Sequence, residues 1–178
     1  MKILRLLFLL SLFILFSACS KSDNNSNTQV QNTRDVSSTK VPKFAIYDLN
    51  GKEISSEAFQ GKVVVIDFWA TWCKPCITEI PEYNKLYEKF KDKNFAFLGI
   101  AMDSGDAEDV KNFAKIHNIK YPIYLGTARA SMSFGTITAL PTTFVLDQNF
   151  NIQKKYVGAT PGKIKNIETL VEKLLKSQ

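Results

Sequence analysis

Histidine and cysteine are scarce in this chain of 178 residues: His117 stands alone, and the cysteines are Cys19, Cys73 and Cys76. A concentrated basic stripe is missing as well. The net charge is +6, but the lysines are spread along the chain, which reads as a solvated surface and excludes a nucleic-acid-binding face. There is no internal repeat and no composition break that would mark a second folded domain. Long apolar runs are confined to the first residues, and the run there, Leu6 to Ala18, is short against the ~20 apolar residues that cross a bilayer.

That opening stretch, "MKILRLLFLLSLFILFSACS", places Lys2 and Arg5 before the apolar run and small residues after it, the layout of an export signal. A retained N-terminal anchor is the alternative. "LFSAC" resembles the lipobox of bacterial lipoproteins, with Phe16 where leucine is usual. The resemblance implies removal of residues 1–18, lipid on Cys19, and a domain held at a bacterial membrane in the periplasm or other extracytoplasmic space. Losing Lys2 and Arg5 lowers the charge to +4. Residues 19–40 are polar and too poor in apolar side chains to offset the entropy of ordering, so a flexible tether is expected. The folded domain is expected over residues 41–178, large enough for a real core.

Within that domain, "VPKFAIYDLNGKEIS" alternates around Asn50-Gly51, a hairpin signal. "KVVVIDFWA" is a continuous β-branched run, as in a strand covered on both faces. From Pro75, the residues Ile77, Ile80, Tyr83, Tyr87 and Phe90 recur at helical spacing, predicting a helix that ends near Lys91. A strand ("NFAFLGIAMD"), a helix ("DAEDVKNFAKIHNI") and two strands ("YPIYLG", "PTTFVLD") follow. "NFNIQKKYVG" reads as a hairpin partner with Asn149 and Asn151 in the turn, and the last helix is expected to start with Thr160 as cap and Pro161 at its first position. This order predicts an α/β fold, a mixed central sheet flanked by helices.

"DFWATWCKPCITEIPEY" puts Cys73 and Cys76 at the start of the first of these helices. With Cys19 given to lipid, one pair and one histidine fall short of the four ligands of a structural zinc site. As a mere staple the pair would close a very short loop, where loop-closure entropy offers least. Reactivity accounts for the placement better. A free thiol of pKa about 8.5 is ~3% thiolate at pH 7, and lowering it to about 6.5 makes it roughly three-quarters thiolate, a difference of ~2.7 kcal/mol. A helix N-terminus supplies ~0.3–1 and at most ~2 kcal/mol, so hydrogen bonds to the sulfur must add the rest. Cys73 is then the attacking thiol and Cys76 the resolving one. Asp67, inside the apolar run, is a candidate proton acceptor for Cys76 because burial would raise its pKa; a solvated strand end is the alternative.

"DFWATWCKPC" resembles the thioredoxin active-site segment, and "WCKPCITEIPEYNKLYEKF" is similar to the TlpA-like and ResA-like branch of membrane-tethered thiol-disulfide oxidoreductases. The likeness covers most of residues 41–178. It implies a thioredoxin-like fold with an N-terminal β-hairpin and a central strand-helix insert around residues 95–120. It further implies a nucleophilic Cys73, a resolving Cys76 and a redox-active disulfide between them. Trp72, Lys74 and Pro75 would shape the substrate site. Glu79 matches an acid implicated in proton traffic, and Asp67 the buried acid of thioredoxin, so two acceptors are possible. "ALPTTFVLD" is similar to the loop that carries the cis-proline, here Pro141, with Leu140 presenting its backbone to substrate. The branch implies a monomer that needs no cofactor or metal, reduces protein disulfides, and is re-reduced by a membrane electron donor, possible clients being cytochrome c haem-attachment cysteines.

Three other readings compete. Peroxiredoxin-like thiol peroxidases have Pro-x-x-x-Thr-x-x-Cys, where this chain has Trp69 and Cys73 in place of the proline and threonine. Thioredoxin-like copper carriers space their cysteines by three residues and add a later histidine. A tethered scaffold with an inert disulfide is the third. Trp69 and Phe68 are expected in the core, Trp72 at a peptide-binding rim, and Glu79 could be a solvated helix position.

Overall fold

A computed structural model describes residues 39–177. The signal at residues 1–18, Cys19 and most of the 19–40 tract lie outside the described residues. Among those residues no helix is long and apolar enough to cross a membrane. The chain joins the sheet slightly before the expected Val41: Lys40 bridges to Asn151, and the Ile152 amide donates to the Thr39 carbonyl at 3.1 Å.

Strands β1 (Ala45–Asp48) and β2 (Glu53–Ser55) form the expected hairpin, with Ile46 opposite Ile54. Its turn is closed by the Asp48 carboxylate, which accepts the amides of Asn50 (2.8 Å) and Lys52 (2.9 Å), and Gly51 supplies the left-handed φ of 81° that the reversal needs. A 3-10 turn, Ser56–Phe59, leads to β3 (Val63–Trp69).

All seven residues of β3 are buried. Its six apolar side chains contribute on the order of 10 kcal/mol of transfer free energy on leaving water, which is why this run lies at the centre of the sheet. Helix α1 (Lys74–Phe90) follows, then β4 (Phe95–Ala101), α2 (Ala107–Ile116), β5 (Ile123–Leu125), α3 (Ala128–Ser133), β6 (Thr142–Leu146), β7 (Ile152–Val157) and α4 (Lys163–Lys176). The strand and helix around residues 95–120 are thus β4 and α2. The sheet order is β2-β1-β5-β4-β3-β6-β7; β3–β4 and β4–β5 are parallel and the other pairs antiparallel.

The alternation of β3 divides the core. Val64, Ile66 and Phe68 face a cluster that includes Phe44, Phe134 and Phe144, while Val63 and Val65 face the apolar stripes of α1 and α4. Asp67 and Trp69 share the second face by the same two-residue period. On α1 the buried residues are Cys76, Glu79, Ile80, Tyr83, Leu86 and Phe90, so the stripe is rotated from the expected one: Ile77 and Tyr87 are only partly buried, and Leu86 and Glu79 take the core side.

Two local readings are corrected. Helix α3 was not expected, because its sequence "ARASMS" has too few large apolar residues to mark a period; it is capped by Thr127, which accepts the Ala130 amide, and anchored by Ala130. The last helix starts at Lys163 and is capped by Gly162, not by Thr160. Gly162 lies at φ 74°, a left-handed conformation through which a right-handed helix cannot run. Thr160 instead closes a turn, its carbonyl accepting the Lys163 amide.

Candidate active site

Cys73 occupies the N-cap of α1 just beyond the carboxyl end of β3, and Cys76 lies in the first turn. Pro75 fits there because first-turn amides have no intrahelical partner and its missing N–H costs nothing. No acidic residue sits in this turn, so the unpaired amides and the helix dipole act on the sulfurs unopposed. The two cysteines form a disulfide, with Cα atoms 5.3 Å apart. They pack among Trp69, Ala70, Ala101 and Val110. Trp69 is core, as expected, and its buried indole N–H has no partner among the described residues.

An open groove of about 400 Å³ runs past Cys73, lined by Trp72, Cys73, Lys74, Pro75, Met102 and Leu140 among others. Trp72 is 63% exposed although its indole N–H donates to the Asp103 carbonyl at 2.8 Å, so a large aromatic face is held in water by a fixed bond. Asp103 lies at φ 44°, in the left-handed region, and the Ser104 hydroxyl accepts the Thr71 amide and donates to the Met102 carbonyl. The far wall ends at the Leu140–Pro141 bond, which is cis. The expected residues Trp72, Cys73, Lys74, Pro75 and Leu140 therefore share one surface, and Pro141 leads directly into β6.

Beneath the cysteines lies a buried polar cluster. Asp67 is 2% exposed, not a solvated strand end, and Glu79 is buried on the core side of α1. Asp67 pairs across the sheet with Thr143, whose hydroxyl donates to its Oδ1 at 2.7 Å; the Tyr83 hydroxyl stands 3.5 Å from the same oxygen. Tyr121 seals the site: its ring lies over Gly99, the β4 partner of Asp67, and a Cβ on Gly99 would come within 2.8 Å of that ring. Burial pushes the Asp67 carboxyl up to about 7, against the opposing pull of Lys163 and the Thr143 bond. The Glu79 carboxyl is also raised, because burial outweighs the opposing pull of its ion pair with Lys163, Oε2 to Nζ at 2.6 Å.

No pattern in the sequence singles out Lys163, Thr143 or Tyr83. Tyr83 was legible only as one apolar position of α1, and Lys163 falls where a solvated first-turn lysine would be read. The available hint is that Lys163 is in register with Ile164, Ile167 and Val171 on the buried stripe of α4.

Residues 38–155 match the AhpC/TSA family. The chain belongs to that family. Among similar proteins, thiol-disulfide oxidoreductase ResA of Bacillus cereus is 37% identical over 119 residues, covering 66% of this chain and 68% of the relative. ResA of Bacillus subtilis (strain 168) is 33% identical over 119 residues, covering 66% and 65%. A crystal structure of a thioredoxin-family thiol:disulfide interchange protein from Chlorobium tepidum TLS superposes with a TM-score of 0.68 at 32% identity, covering 78% of this chain and 97% of that one. The thioredoxin-like fold is thereby shown, and this AhpC/TSA-family member is a thiol-disulfide oxidoreductase acting on protein thiols and disulfides.

Proposed function

We propose that the domain is an exported reductant, tethered to a bacterial membrane by lipid on Cys19, that reduces disulfides of client proteins and is itself re-reduced by a membrane electron donor. Haem-attachment cysteines of apocytochrome c are the client class favoured by the family likeness. The observation that carries the reading is Cys73 at the positive end of α1, paired with Cys76, at the floor of a groove that has an apolar aromatic rim.

The reaction balances as two exchanges. In the reduced protein the Cys73 thiolate attacks one sulfur of a client disulfide, forming a mixed disulfide and expelling the other client sulfur as thiolate. Cys76 then gives its proton to a buried carboxylate and attacks the Cys73 sulfur, which closes the Cys73–Cys76 bond and frees the second client thiolate. Two electrons pass to the client. Asp67 suits the acceptor role: with its carboxyl at about 7 it is divided between acid and base near neutrality. Trp72, Lys74, Pro75 and Leu140 would hold the client strand along the groove.

The test is reduction of insulin-type disulfides by the dithiol form, with alkylation of Cys73 followed across pH. Alkylation that tracks an ordinary thiol, with no turnover, would overturn the reading. Membership of the AhpC/TSA family favours a second reading, thiol peroxidation by Cys76. Rapid peroxide consumption by a Cys73→Ser protein would establish it instead.

A further inference from the structure

Among the described residues Lys163 is the one lysine or arginine that is buried, at 1% exposure, and it belongs neither to the cysteine motif nor to the groove. Holding an ammonium out of water costs several kcal/mol even when it is paired, and well-packed apolar replacements are often no less stable. Its three acceptors are the Glu79 carboxylate at 2.6 Å, the Gly158 carbonyl at 3.2 Å and the Thr143 hydroxyl oxygen at 3.3 Å.

The last of these sets a direction. An ammonium can only donate and an ionised carboxylate can only accept, so Thr143 accepts from Lys163 and gives its single hydroxyl proton to Asp67 at 2.7 Å; the Tyr83 hydroxyl, 2.9 Å from the Thr143 oxygen, is then the second donor to it. The two carboxylates are thereby made unequal. Glu79 is paired directly with Lys163, and the two line an open cleft of about 320 Å³ between α1 and the turn before α4, bounded also by Thr78, Glu82 and Gly162. Asp67 has no ion-pair partner of its own among the described residues; it feels the charge of Lys163 across the cluster and is linked to it by hydrogen bonds through Thr143.

We propose that Lys163 is a positioning residue for the exchange reaction: it holds Glu79 as the anion and, together with the Tyr83 hydroxyl, occupies the Thr143 oxygen so that the Thr143 proton points to Asp67, and Asp67, not Glu79, takes the proton of Cys76. This rests on the proposed resolving step. The groups facing the Asp67–Lys163 pair are Glu79 and Tyr83 from α1, Tyr121 from the segment before β5, and Tyr156 from β7, opposite Thr143. Of these only Glu79 is acidic enough to compete for the proton near neutral pH.

The test is the pH profile of the resolving half-reaction, read by stopped flow from a preformed Cys73 mixed disulfide. Lys163→Met is expected to move the midpoint up by about one pH unit, slowing the reaction about tenfold below it and leaving the plateau at high pH intact, because a nearby cation lowers a carboxyl by that order. Lys163→Arg should restore the original midpoint. A residue that merely supports the fold would lower the unfolding temperature without moving the midpoint. Because Lys163→Met leaves Glu79 buried and unpaired, the Glu79→Gln/Lys163→Met double variant is the second arm, with a smaller upward shift expected, since the Glu79 charge that also raises Asp67 is removed along with the cation that lowers it. Carboxyl carbon NMR of the unsubstituted protein provides a third, with Asp67 titrating near neutrality and Glu79 remaining ionised. An unmoved midpoint in either folded variant, or Glu79 protonating before Asp67, overturns the proposal. A midpoint that survives Asp67→Asn would instead overturn the acceptor reading beneath it.

Discussion

Asp67 on β3 and Thr143 on β6 are direct partners across an antiparallel strand pair, and the threonine hydroxyl donates to the carboxylate at 2.7 Å. The sheet itself thus holds the buried acid, with a rigidity that a loop residue would lack.

That acid makes stability pH-dependent in an unusual sense. Burial raises the Asp67 carboxyl from 3.8 to about 7, so between these values the folded protein binds the proton more tightly than the unfolded chain. The resulting stabilisation is complete below the unfolded value, declines as pH rises, and is gone above about 7. Asp67→Asn should remove this slope and raise stability at pH 8 by on the order of 4 kcal/mol, measured by urea unfolding at pH 5 and pH 8. The same substitution should slow the resolving step by about 100-fold near neutrality.

Changing Cys76 to serine should leave the first attack intact and stop the second. Client proteins then accumulate as mixed disulfides on Cys73, visible on non-reducing gels and identifiable by mass spectrometry. Cys73→Ser should abolish both the adducts and the turnover.

Trp72 gives a prediction in binding and not in folding. Its ring is mostly in water, so Trp72→Ala should change the unfolding free energy by less than about 1 kcal/mol. Loss of an aromatic contact surface should raise KM for a protein substrate by about tenfold, with kcat little changed. Trp72→Phe keeps a flat face but loses the bond to the Asp103 carbonyl, and should fall between the two. Steady-state kinetics with a single client separates these outcomes.

A fourth prediction concerns the turn between β6 and β7. The Asp147 carboxylate accepts the amides of Asn149 and Asn151 and the side-chain amides of Asn151 and Gln153. Asp147→Ala should cost about 1–3 kcal/mol of stability, since these donors lose a charged acceptor. The exchange rate at the cysteines should stay the same. Chemical unfolding and an insulin-reduction assay measure the two effects.

Much of the fold could be read from local pattern because it depends on local physics. The seven-residue run of β3, the Asn50-Gly51 reversal and the capped helix after Asp106 each state their geometry within a few residues. The Asp106 capping box, in which Asp106 and Asp109 satisfy each other's backbone amides, is one such self-contained signal. Helix α3 escaped because it is short and small-sided, and is held by Phe134 packing against Phe44 just before β1, Phe68 of β3 and Phe144 of β6. The start of α4 was misplaced because Thr160-Pro161 imitates a helix entry, while the backbone at Gly162 decides where the helix can begin.

The sequence by itself determined the cysteine pair, the helix whose end it occupies, the aromatic beside it and the acid three residues further along α1. These are relations over one or two turns, and spacing is enough to state them. Only the tertiary structure decided that Lys163, 84 residues from Glu79, would be buried against it, and that Thr143, 76 residues from Asp67, would supply its hydrogen bond. Long-range partners of this kind leave no local trace. Their energy comes from being taken out of water together, and that occurs only when the sheet and the two helices close over them.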